Sequence, residues 1–132
     1  MELALAGAGR TASDVDVVFA HATGTPKGDL AEIRALNQVF ASVGGRSPQV
    51  TAIKGHTGHT GASAGAMGVA AAIDLLRSGR LPAVRGTRAV DPEVDFDLVV
   101  GERRATTAST VQVNAFGFGG QDASVLLAVD PR

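Results

Sequence analysis

The stretch KGHTGHTGASAGAMGVAAAIDLL, from Lys54 to Leu76, restricts the possible folds of this chain more than any other. Its second half reads as a helix from about Ala62 to Arg77, stopped by Ser78-Gly79. The interior of that helix is Ala, Gly, Met, Val and Ile, apolar nearly all round. Such a helix belongs inside a structure, between other layers, where small side chains let backbones approach closely. Its first half is a glycine-rich mouth carrying Lys54, His56 and His59.

The elements around it alternate. MELALAGAGR reads as a short helix closed by Gly7 or Gly9, and Ser13-Asp14 as a turn. VDVVFAHA, from Val15 to Ala22, is a mostly apolar, β-branched run that ends at His21, as expected of a strand buried on both faces. TGTPKGD is a loop. Asp29 is the expected N-cap of a helix from about Leu30 to Ser42, with Glu32 completing a capping box and Gly44-Gly45 stopping the helix. QVTAIK, Gln49 to Lys54, is a second buried strand. Residues 80–105 read as an irregular, charged connection. Thr110 to Phe116 and Ala123 to Val129 are strands joined by the turn GFGGQD. The order predicts one α/β domain over residues 1–132, with a mixed sheet and a buried Ala/Gly-rich helix. Both polar clusters follow strand ends, where ligands gather in open α/β sheets.

Composition narrows the function. Basic and acidic residues nearly balance, 12 against 13, so no strong field recruits nucleic acid or anionic lipid. Five Phe with no Trp or Tyr are poor material for stacking on bases. No run is apolar enough to span a membrane, and no charged n-region with an apolar h-region opens the chain. The absence of cysteine excludes disulfides, thiolate metal sites and a cysteine nucleophile within these residues, and fits a cytoplasmic protein. Seventeen glycines and many alanines supply little apolar bulk, so the chain is expected to need a partner to complete its core.

Each histidine has alternatives. His21 is either a hydrogen-bonded strand-end residue or an imidazole at a site mouth beside the Thr23 and Thr25 hydroxyls. His56 and His59, three apart in a loop without neighbouring acids, lack the i,i+4 helical spacing or third ligand of a metal site, so no metal is expected. The glycines permit phosphate binding, but the phosphate-loop pattern is missing. A third reading is electrophilic: neutral imidazoles from separate strand ends converge on an oxygen that becomes negative, beside an ammonium that sets their protonation. NAFGFGGQD is either a packed hairpin turn or a turn whose backbone N–H groups face a reacting carbonyl.

Taken in order, AHATGTPKGDLAE, IKGHTGHTGASAG and VNAFGFGGQDASVLL resemble the β-ketoacyl synthases of the thiolase fold, over nearly the whole chain. The resemblance implies a thiolase-like layered fold, here its C-terminal portion. It implies that His21 and His59 hold the malonyl thioester carbonyl and stabilise the enolate left by decarboxylation. Lys54 would be the active-site lysine and Glu32 the carboxylate paired with it. Thr23 and Thr25 would contact pantetheine or the malonyl group. Phe118 would be the gating aromatic, its N–H helping to form an oxyanion hole, with Phe116, Gly117 and Gly119 beside the substrate. His56 matches no family role.

The family has Gly where Ala22 stands, and the added methyl is expected to need a negative φ. It usually has Asn where Asp122 stands. Family members are about three times longer, with the nucleophilic cysteine in a first half missing here. The chain is therefore expected to be either an excised fragment or the C-terminal piece of a split ketosynthase, the latter comprising a cysteine-bearing N-terminal subunit, this chain and an acyl carrier protein, in a heterodimer or dimer of heterodimers. The initiator Met and the helix that follows it favour a split. No cofactor is expected beyond carrier-bound phosphopantetheine. The alternatives are a non-condensing, chain-length-factor-like or carrier-binding subunit, and the same site used for acyl transfer or decarboxylation without condensation.

Overall fold

The structure, a computed structural model, describes residues 1–40 and 47–129. The expected end of the second helix at Ser42, and its Gly44-Gly45 stop, lie outside the described residues.

Helix α1 spans Glu2–Gly7 and strand β1 Val17–Phe19, followed by α2, Pro26–Phe40. Strand β2, Gln49–Thr51, runs into a single helical turn, α3, Lys54–Thr57. The long helix α4 is Ala64–Ser78. Short strands β3, Arg80–Leu81, β4, Asp97–Leu98, and β5, Arg104–Ala105, punctuate the connection expected to be irregular. The hairpin is β6, Thr110–Gly117, and β7, Gln121–Ala128.

Five strands form a mixed sheet in the order β4-β2-β1-β6-β7. The first four are mutually parallel and β7 returns antiparallel, pairing Thr110 with Ala128 and Gly117 with Gln121. β3 and β5 form a separate antiparallel ribbon. Alternation along β1 explains why its sequence is apolar throughout. Val17 and Phe19 pack with Ala72, Leu75, Val111 and Val113 on one face, whereas Val18 packs with Leu5, Leu36, Phe40 and Val50 on the other. The ladders of β1 and β2 stop short of the expected bounds because the chain turns into the site at His21 and at Lys54.

Glycines bring α4 onto the sheet. A Cβ on Gly68 would lie 2.9 Å from Val113 Cγ1, and one on Gly65 3.3 Å from Ala115 Cβ. Gly79 ends the helix in the left-handed conformation, φ 65°. Within this chain the helix is buried on one side only: Gly68, Ala72 and Leu75 are buried, while Ala66, Ala70 and Ile73 lie exposed along the opposite side. One sheet covers one face of a helix, and in this chain nothing described covers the other.

The capping box is also corrected. Helix α2 begins at Pro26, whose missing N–H costs nothing in a first turn. Asp29 sits within that turn and accepts the Gly24 N–H at 3.0 Å. Glu32 points elsewhere. Among the described residues no helix is long and apolar enough to cross a membrane.

Candidate active site

The site lies where the parallel strands end. β1 delivers His21, β2 leads into Lys54, and β6 carries Asn114 and Phe116 to the same end of the sheet. Glu32, from α2, reaches under the end of β1. It is 5 % exposed. Its Oε1 accepts the His21 N–H and its Oε2 the Ala22 N–H, both at 2.8 Å. Asn114 Nδ2 also donates to Oε1, at 3.4 Å. Asn114 is oriented in turn, because its Oδ1 accepts from Gln112 Nε2 at 3.0 Å and from Ser124 Oγ at 2.8 Å.

This double anchor accounts for Ala22. Its φ is +35°, in the left-handed region, so the negative φ expected for a methyl-bearing residue is not found. An L-residue there gives up about 1–2 kcal/mol. Two charge-assisted hydrogen bonds from adjacent N–H groups to one carboxylate hold the turn against that cost.

Lys54 lies over His21. Its Nζ is 3.3 Å from His21 Nδ1 and donates a short hydrogen bond to the His21 carbonyl. An ammonium can only donate, so Nδ1 is an acceptor and the neutral ring carries its proton on Nε2. His59 is set in the same tautomer by a different bond, its Nδ1 accepting the Gly61 N–H at 3.2 Å. The two imidazoles meet edge to face, centroids 5.7 Å apart at 89°. Phe116 packs against His21 at 5.5 Å. The site thus presents two Nε2–H donors from neighbouring rings.

Electrostatics favours that state. Burial pushes the His21 imidazole below its ordinary value, and the charges of Lys54 and His59 lower it further, against Asp29 and Asp122. Burial likewise lowers Lys54, opposed by Glu32 and Asp29. Burial raises Glu32, and the Ala22, His21 and Asn114 hydrogen bonds together with Lys54 pull it back. Glu32 therefore acts on Lys54 through its field, while its oxygens are engaged by backbone N–H groups; the direct pair expected of these two residues is replaced by this arrangement.

The structure brings together His21, Lys54, His59, Glu32 and Phe116. Thr23 and Thr25 line the adjoining loop with their hydroxyls 3.2 Å apart. Phe118 projects fully into solvent from the β6–β7 turn, between Gly117 and Gly119. Asn114, Gln112 and Ser124 were not singled out from sequence. Asn114 was within reach, since it precedes Phe116 by two on one strand and shares its face. A cleft of about 500 Å3 opens behind Ala22, Thr25, Asp29 and Glu32. A larger one, about 950 Å3, lies beyond α3 against His56 and Thr57, and the lining of neither cleft includes His21, Lys54 or His59.

Known proteins resemble this chain in sequence and in fold. The family model described as beta-ketoacyl synthase, C-terminal domain, matches residues 1–88. The 3-oxoacyl-[acyl-carrier-protein] synthase 2 of Mycobacterium tuberculosis is 40 % identical over 118 residues, covering 89 % of this chain and 28 % of the relative. The solved ishigamide ketosynthase/chain length factor superposes with TM-score 0.90 at 30 % identity, covering 98 % of this chain and 32 % of that one. A beta-ketoacyl synthase from Burkholderia phymatum gives TM-score 0.89 at 32 % identity, over 98 % and 31 % respectively. The chain thus spans about three-tenths of the length of these relatives. Its layered α/β architecture is that of the thiolase-fold ketosynthases, and the chain belongs to the beta-ketoacyl synthase C-terminal domain family.

Proposed function

We propose that this chain is the histidine-bearing C-terminal part of a two-piece β-ketoacyl synthase acting in polyketide or fatty acid synthesis. A partner supplies the nucleophilic cysteine, which carries the growing acyl group as a thioester. Malonyl on an acyl carrier protein then loses CO2, leaving its electron pair as an enolate. The enolate carbon attacks the acyl thioester and the cysteine thiolate departs. The work of this chain is to hold the enolate oxygen by donors fixed before the charge forms.

The observation that carries this reading is the edge-to-face pair of His21 and His59, each with Nδ1 engaged as an acceptor and Nε2–H left to donate. Thr23 and Thr25 stand at the mouth for the pantetheine arm, and Phe118 is free to swing across it. The exposed small-residue side of α4 supports a partner that packs there.

The test is reconstitution. The chain, combined with a cysteine-bearing N-terminal ketosynthase piece, should release CO2 from malonyl-carrier protein and form the condensed product. His21→Ala or His59→Ala should each reduce the rate about 100-fold or more. Condensation by the isolated chain at full rate would refute the two-piece assignment. The ishigamide relative includes a chain length factor, which keeps a second reading: condensation unchanged in His21→Ala, with altered product length, would assign a non-condensing role.

A further inference from the structure

His56 is not part of the paired-imidazole site, yet it is bonded. Its Nε2 lies 2.8 Å from the carbonyl oxygen of Ala83. A carbonyl only accepts, so Nε2 carries the proton.

The element it belongs to cannot hold itself. α3 is four residues long, and no side chain caps its N-terminus. A single helical turn is unstable in water without outside contacts. Three such contacts run to one segment. A Cβ on Gly55 would sit 2.1 Å from the Arg85 carbonyl oxygen, so the turn touches that backbone where no side chain fits. His56 bonds to Ala83. Just before the turn, Thr51 Oγ1 donates to the Pro82 carbonyl at 2.5 Å. The segment is itself fixed from behind, with the Val84 N–H donating to the Val99 carbonyl at 2.7 Å. Residues 82–85 thus form a rail on which α3 is seated.

Residues two apart on a helix point about 200° from each other. Lys54 and His56 therefore reach out on opposite sides of the same turn, one to His21 and one to the rail. We infer that His56 is a positioning residue: its hydrogen bond to Ala83, with the close seat of Gly55 on Arg85, sets the Lys54 ammonium over the His21 ring. A donor at position 56 is what this requires, and charge on the ring is not, since either protonation state keeps Nε2–H. The inference rests on the reading of Lys54 and His21 as working residues, but its test does not need catalysis.

The chain contains two lysines, Lys27 and Lys54, so lysine side-chain NMR yields two signals and Lys27 is an internal control. The full chain is labelled at lysine Cε, combined with its unlabelled cysteine-bearing partner where the two bind, and titrated. In His56→Ala the Lys54 midpoint should move up, as the ammonium leaves its half-buried place and regains water; in His56→Gln, whose amide can donate to Ala83, it should return towards wild type. Gly55→Ala, which unseats the same joint, should shift Lys54 as His56→Ala does. In the reconstituted enzyme His56→Ala should lower kcat roughly 10-fold with KM for the malonyl substrate little changed, the signature of misplaced rather than missing groups. An unmoved Lys54 midpoint in folded His56→Ala overturns the inference, and so does a His56→Gln shift as large as that of Ala. Should His56→Ala fail to fold, Gly55→Ala takes its place, and an unmoved Lys54 midpoint there overturns the inference. Absence of condensation in every form, wild type included, would refute the proposed function and leave the titration result standing.

Discussion

Lys54 touches His21 twice, through Nδ1 of the ring at 3.3 Å and through the backbone carbonyl of the same residue. One ammonium thereby selects the tautomer of the imidazole and fixes the end of the strand that carries it. It also places a positive charge beside an imidazole that burial already holds below its ordinary value.

If the proposed two-piece enzyme decarboxylates malonyl-carrier protein, the acid limb of that reaction should have its midpoint below 6.5, the ordinary imidazole value. Lys54→Ala removes the second cause of that shift after burial, so the limb should move up towards 6.5. The linkage has a definite sign. The folded-state value of His21 is depressed, so on acidification the unfolded chain takes up its proton first, and this part of the stability is lost as pH falls from the unfolded towards the folded value. Rate profiles and imidazole NMR titrations of the two proteins check the prediction.

Glu32→Gln preserves shape but converts one acceptor into a donor. One of the two 2.8 Å bonds to His21 and Ala22 N–H then becomes N–H against N–H in a buried place. Stability should fall by about 1–3 kcal/mol, read from urea unfolding, and His21 signals should broaden as the end of β1 loosens.

Ala22→Gly should stabilise the protein. At φ +35° the methyl gains nothing and strains the backbone. Removing it should return about 1 kcal/mol, while Ala22→Val should lower the melting temperature. Equal stability of all three would show that the turn does not hold its left-handed conformation in solution.

Gly68→Ala should be more damaging than Gly65→Ala. The new Cβ would meet Val113 Cγ1 at 2.9 Å in the first case and Ala115 Cβ at 3.3 Å in the second. Overpacking by one methyl against a stiff β-branched side chain should destabilise by about 1–3 kcal/mol, and Val113→Ala added to Gly68→Ala should recover part of it. Denaturant midpoints of the two glycine variants, of Val113→Ala alone and of the double mutant provide the measurement.

Much of this was legible along the chain. The β-branched run ending at His21, the Ala- and Gly-rich helix stopped at Gly79, and the hairpin around GFGGQD follow from periodicity and turn chemistry that act over a few residues. The three motifs in order named the family, and they picked out His21, Lys54, His59, Glu32 and Phe116, which the sheet brings to one end. What the sequence could not supply depends on partners distant in the chain and brought close by the sheet. Glu32 looks like a helix cap, but its carboxylate meets backbone donors ten and eleven residues before it. His56 looks incidental and finds a carbonyl 27 residues later. The sign of φ at Ala22 and the tautomers of both imidazoles belong to the same class. Hydrogen bonds and close packing are satisfied in space, and a local pattern specifies which groups need partners without saying which partners arrive.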